Sequence, residues 1–318
     1  MKRFLIYITE FLGILLGIIL ALIFLIPESK AHYIHAYPDK MAKIDTLSSP
    51  RLIIVGGSNA AFGLNTKRIA DSLNINVFNT ALHAGIGLRL QLDDVSRRLR
   101  RGDKVILLPE YGQFTSVLNG DDGDPALTNA VLYSKSDIFL LLNGKQWYKF
   151  ISGIGQHIHG NLNSLLTADS TKELDYSAYN FDEYGDEVKH RYKPSKPFDF
   201  QIDRQTEPTR ESILYLSNKV KELKNNGISV YIYPPVTIEK YFNQHEELIN
   251  NISKALYYEK IPFIVNPIQH VEPDSCAFDT PYHMNAIGVE DFTDKLIEEL
   301  KEIADFKNEA NNNKGITK

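Results

Sequence analysis

Three residue types that together activate a hydroxyl lie far apart in this chain. Ser58 sits in "VGGSNAAFG" (55–63), and Asp279 and His283 sit in "FDTPYHMNAIG" (278–288). A serine hydroxyl is a weak nucleophile until a base takes its proton. The usual base is a histidine oriented by a carboxylate, and the product of its attack on an ester is an acyl-serine. Each residue also has a structural use. Ser58 suits the N-cap of a helix, Asp279 a turn before proline, His283 a partly buried packing position, and Asn285 a helix cap. The chemical reading therefore depends on whether the fold brings all three to one place.

The elements needed to do so are legible. "RLIIV" (51–55) predicts a buried strand and 65–73 a helix. "VFNTAL" (77–82) predicts a second strand, 88–100 a helix, and "KVILLP" (104–109) a third strand. The rhythm returns at Thr209 with a long helix stopped by Gly227, the strand "ISVYIYPP" (228–235), a helix over 244–259 and a fifth strand, "IPFIVNP" (261–267). A last helix follows Asn285. Strands alternating with helices predict an α/β fold with about five parallel strands and helices on both faces. Ligands in such sheets bind beyond the carboxyl ends of the strands. Ser58, the stretch 82–85, Glu110 and the Asp279–His283 loop all fall at that edge.

Residues 115–205 break the rhythm and read as an insertion rich in Gly, Asn, Asp and Tyr. Trp147, Tyr148, Tyr176, Tyr179 and Tyr184 lie within it. They suit either a core or a surface that stacks on sugars or a protein partner. His157 and His159 are spaced to share one face of a strand, but without a third ligand at clear spacing they do not make a metal site. Cys276 reads as a buried thiol. "GGSNAAFG" is neither a dinucleotide loop nor a phosphate loop, so no cofactor and no metal are expected.

Of 318 residues, 43% are hydrophobic and 24% charged, which is ordinary for a globular protein. A net charge of −5 without a basic stripe argues against a nucleic-acid partner. Residues 4–26 form one apolar run broken only by Thr9 and Glu10, preceded by Lys2 and Arg3. That length spans a bilayer with the N-terminus cytoplasmic and the remaining chain periplasmic or extracellular. A cleaved signal peptide ending near "SKA" is the rival reading. The expected organisation is an anchor at 1–28, a juxtamembrane linker at 29–48, an α/β domain at 49–306 carrying the 115–205 insertion, and a polar, disordered tail at 307–318.

A Gly-x-Ser after the first strand with a late Asp and His resembles the SGNH/GDSL hydrolases, over roughly residues 50–305. The resemblance implies a flavodoxin-like three-layer α/β/α domain that hydrolyses or transfers acyl groups. It implies Ser58 as nucleophile, His283 as base, Asp279 as its orienting carboxylate, and the Ser58 and Gly85 N–H groups as the oxyanion hole. Three positions depart from the family pattern. Gly57 stands where an aspartate is usual before the serine, and "LLPEYGQF" has Glu110 where an asparagine would donate to the oxyanion. Asp279 and His283 are four apart rather than three. Membrane-anchored members of this kind serve cell-envelope polysaccharide O-acetylation and teichoic-acid D-alanylation. By that likeness the substrate is an acylated glycan or small acyl ester, with a membrane acyltransferase as a possible partner. The alternative is a catalytically inactive binding or scaffold protein of the same systems.

Overall fold

In the computed structural model, which describes residues 2–26, 30–121, 123–134, 137–167, 176–200 and 205–306, four apolar runs assemble into one parallel sheet. They are β1 (Arg51–Gly56), β2 (Asn76–Asn79), β3 (Lys104–Leu108) and β4 (Ser229–Ile232), in the order β2-β1-β3-β4. Ile53 pairs with Phe78 on one side and Val105 on the other. All residues of β1 and β3 are buried, which is why both read as continuous apolar runs rather than alternating ones.

The helices are α1 (Lys2–Leu25), α2 (Ala36–Thr46), α3 (Ser58–Gly63), α4 (Thr66–Leu73), α5 (Leu88–Ser96), α6 (Ala126–Ser134), α7 (Gly144–Thr167), α8 (Arg210–Asn225), α9 (Glu239–Gln244), α10 (Glu246–Tyr258) and α11 (Ala286–Glu302). Their starts follow local chemistry. Asn65 caps α4 by accepting from the Arg68 N–H at 3.2 Å, and Thr209 caps α8 by accepting from Ser212 at 3.2 Å. Asn285 accepts from Ile287 and Gly288 and is the cap of α11. Gly227, at φ +77°, follows α8 in the left-handed conformation that stops a helix.

The expected fifth strand does not form. Residues 261–267 touch the sheet through the Ile264 N–H, which donates to the Ile232 carbonyl at 2.8 Å. Pro262 and Pro267 bracket the run and have no N–H for a ladder, and much of the run is exposed. A separate two-residue parallel pair, β5 (Thr237–Ile238) and β6 (Val271–Glu272), lies nearby.

Residues 33–46, expected as a linker, fold into a short 3₁₀ turn and α2. Tyr33, Ile34, Tyr37, Met41 and Ile44 from this segment join the core. Their spacing is helical but shared between two turns, so no single period marked them. The expected tail lies outside the described residues. α1 is the one helix among the described residues long and apolar enough to cross a membrane, with a mean hydropathy of 2.6 over 18 residues.

Lys40 ties α2 to the sheet. Its ammonium donates to the carbonyls of Asn79 (3.1 Å), Ala81 (2.6 Å) and Gly185 (2.5 Å), so all three of its hydrogens have acceptors. Burial pushes Lys40 down to about 7, against the charges of Asp186 and Asp182. Asp186 accepts from the Thr66 N–H and hydroxyl, each at 2.6 Å, and from Asn79 Nδ2 at 2.9 Å. The end of β2, the start of α4 and the insertion thus share one buried polar knot. Replacing Lys40 by Met would strand three buried carbonyls. Chemical denaturation of Lys40→Met should show a loss of about 3 kcal/mol relative to the unsubstituted chain.

Candidate active site

β1 and β3 end side by side, with Gly56 paired to Leu108. The residues that follow them are therefore forced together. Ser58 is the first residue of α3, and its side chain caps nothing; Gly57 holds the cap position without a side-chain bond. The Ser58 hydroxyl instead donates to Glu110 Oε1 at 2.9 Å, and the Asn59 N–H donates to the same oxygen at 3.1 Å. A Cβ at position 57 would stand 2.3 Å from Glu110 Oε1. Glycine there is what allows the carboxylate to approach. The Glu110 N–H is itself held by Gln113 Oε1 at 3.0 Å.

Asp279 and His283 occupy the loop between β6 and α11. An antiparallel bridge between Ala277 and Met284 closes that loop, and the Phe278 N–H donates to the His283 carbonyl at 2.7 Å. This closed turn brings residues four apart face to face. His283 Nδ1 lies 2.8 Å from Asp279 Oδ1. The Tyr176 hydroxyl donates to Asp279 Oδ2 at 2.7 Å and lies 3.1 Å from His283 Nδ1. The Phe62 ring stacks on the imidazole, with centroids 4.1 Å apart and planes 11° from parallel. Burial works against ionisation of Asp279. The hydrogen bond and charge of His283, helped by Tyr176 and Lys196, outweigh it and hold the carboxyl below the ordinary carboxylate range.

Ser58 and His283 line the same cleft, about 530 Å3 in volume, with Glu110, Tyr33, His83 and Asp124 among its other walls. The expected Ser, Asp and His are thus gathered at one sheet edge, but the serine hydroxyl bonds to Glu110 and not to His283. The expected second oxyanion donor is engaged elsewhere. The Gly85 N–H donates to His83 Nδ1 at 3.0 Å, while His83 Nε2 lies 3.3 Å from Asp124. His157 and His159 are on helix α7 rather than a strand, where residues two apart do not share a face. His157 is buried between Asn129 (2.7 Å) and Asn161 (3.1 Å).

Cys276 is outside the cleft, and burial pushes its thiol up. It approaches Glu272 and Asp291, but Lys295 already neutralises Glu272 at 2.7 Å, and a protonated thiol is a poor metal ligand. Phe62 and the His32–Ile34 wall carry no signal in the sequence, and Tyr176 is legible there only as one of the aromatic residues of the insertion. No local spacing links Tyr176 to Asp279 103 residues away. Compared with protein-family models, curated proteins and solved structures, the chain matches none.

The sign of the Asp279 shift gives a test. A depressed carboxyl adds stability that is complete at neutral pH and is lost as pH falls through and below the ordinary carboxylate range. Denaturation midpoints followed from neutral to acid pH should fall less steeply at the acid end for Asp279→Asn than for the unsubstituted chain.

Proposed function

We propose that the protein is a membrane-anchored, extracytoplasmic serine acyl-transfer protein of the SGNH/GDSL type. The observation that carries this reading is the hydrogen-bonded Asp279–His283 pair on the same cleft as Ser58. The sheet order β2-β1-β3-β4 suits the flavodoxin-like three-layer architecture, in which that cleft lies beyond the carboxyl ends of the strands. The substrate class is an acyl ester, carried by a small donor or an envelope glycan, and a membrane acyltransferase is the natural partner. α1 supports placement at the membrane.

In the reaction the Ser58 hydroxyl turns from Glu110 towards His283, whose Nε2 takes the proton as Oγ forms a bond to the acyl carbon. Asp279 holds the resulting imidazolium, and Tyr176 fixes the Asp279 carboxylate. The Ser58 N–H faces the developing oxyanion. His283 then returns the proton to the leaving alcohol oxygen as the ester C–O bond breaks. Water or a glycan hydroxyl releases the acyl group by the reverse sequence.

Glu110 sets the rate of this site. An ionised carboxylate can accept from Ser58 but cannot donate to an oxyanion. One missing donor costs about 10²- to 10³-fold. The same contact, with Gly85 engaged by His83, favours the second reading: a binding protein that keeps the fold and has given up catalysis.

Fluorophosphonate labelling separates the two. Labelling of the intact chain that disappears in Ser58→Ala and in His283→Ala supports the enzyme. Absence of labelling in folded protein supports the binding reading. Glu110→Gln replaces the acceptor by an amide donor, and its labelling rate should rise, by up to about 10²-fold. A fall in Glu110→Gln comparable to Ser58→Ala would instead make Glu110 the base.

A further inference from the structure

α7 presents two apolar faces. One packs in the body of the protein through residues such as Phe150, Gly153 and His157, which are buried. The other is formed by Tyr148, Ile151, Leu162, Leu165 and Leu166, all exposed, with Leu166 at 78% and Tyr148 at 70%. Their spacing places them in one stripe along the helix, beside the buried face and not part of it. Ile158, partly buried, and Gly155 continue the stripe between its two ends. The 24 residues of α7 contain no aspartate or glutamate, in a chain of net charge −5; of its lysines, Lys145 pairs with Glu211 and Lys149 donates to the Gly120 carbonyl at 2.6 Å.

α7 packs on α6, the helix that the end of the apolar N-terminal helix approaches. Ile23, near the end of α1, is buried, and Ile23 and Phe24 share a cavity with Leu132 and Tyr133 of α6. α6 is the helix on which α7 packs: Thr128 Oγ1 donates to the Phe150 carbonyl at 3.1 Å, and His157 reaches Asn129 at 2.7 Å. Asn129 in turn lines the Ser58 cleft. The end of a membrane-crossing helix, the exposed stripe and the cleft are thus separated by a single helix.

We propose that α7 lies on the surface of the bilayer that holds α1, its Tyr148–Leu166 stripe seated at the boundary between headgroups and acyl chains, and that this contact holds the Ser58 cleft at the membrane surface. This rests on α1 being the membrane anchor of the proposed function. A helix with an exposed apolar stripe, no acidic groups and aromatic residues at one end suits the interface, and interfacial helices sink about 5–10 Å into that boundary. The absence of acidic side chains fits an anionic lipid surface better than a neutral protein groove. The consequence for the site is a substrate delivered along the membrane, on a lipid carrier or a membrane-embedded partner.

Trp147, the single tryptophan of the chain, lies on α7 at the edge of the stripe and is 39% exposed. Its emission therefore reports on α7 alone. The full chain would be reconstituted in vesicles of phosphatidylcholine with phosphatidylglycerol, floated on a density gradient, and compared with vesicles in which the phosphatidylcholine is brominated near the headgroup end of its acyl chains. The expected result is loss of about half of the Trp147 emission to brominated lipid, with weak quenching by aqueous acrylamide. Ile151→Asp combined with Leu162→Asp, both at exposed positions, should reverse the two.

Protein that floats while Trp147 ignores brominated lipid and is quenched by acrylamide overturns the proposal and leaves the anchor intact. Protection of Trp147 from both quenchers also overturns it, in favour of a protein partner or a second copy on the stripe. Failure to float removes the anchor reading, and the proposal with it.

Discussion

β1 is hydrogen-bonded to β2 on one side and β3 on the other, and every one of its residues is buried. A strand confined on both edges and both faces has no freedom at its end. Its next residues emerge at the carboxyl edge of the sheet beside those that leave β3. Gly56 and Leu108 are paired, so Ser58 and Glu110 meet whatever else the chain does. The two glycines before Ser58 are the local expression of this constraint, because a side chain on Gly56 would meet the Leu108 carbonyl and one on Gly57 the Glu110 carboxylate.

Around that fixed pair, the remaining groups arrive from distant segments. The Ala277–Met284 bridge closes the turn that pairs Asp279 with His283, and Phe62 stacks on the imidazole from α3. Tyr176 comes from the insertion, which the Asp186 and Lys40 contacts lock against the end of β2. The result is a histidine held by Asp279, Tyr176 and Phe62, on the same cleft as a serine held by a carboxylate. In the proposed reaction the ordering of His283 and the restraint of Ser58 are opposed, and the balance between them sits at Glu110.

Residues 32–34 bring the N-terminal part of the chain to the cleft. Tyr33 and Ile34 wall the cleft only a few residues beyond the apolar helix α1, and the Tyr33 hydroxyl donates to the Leu82 carbonyl at 2.8 Å. α6 lies between the end of α1 and the cleft, and carries α7 on its other contacts. Residues 33–46 pack into the core and so hold this part of the cleft wall in place.

Short-range pattern along the chain encodes part of this fold. The apolar run of α1, four strands, the helices near 65–73 and from Thr209, the cap at Asn285, the stop at Gly227 and the gathering of Ser58, Asp279 and His283 at one edge all follow from local composition and strand-helix alternation. The fifth strand was over-read because an apolar run between prolines has strand composition but lacks the N–H groups of a ladder. The rest is set by contacts between distant segments. The folding of residues 33–46 into the core, the approach of Tyr176 to Asp279, the engagement of Gly85 by His83 and the grip of Glu110 on Ser58 each join residues with no periodic relation, or turn on one side chain's choice between acceptors. Such choices are made by packing and buried hydrogen bonding across the whole fold, which no window along the chain contains.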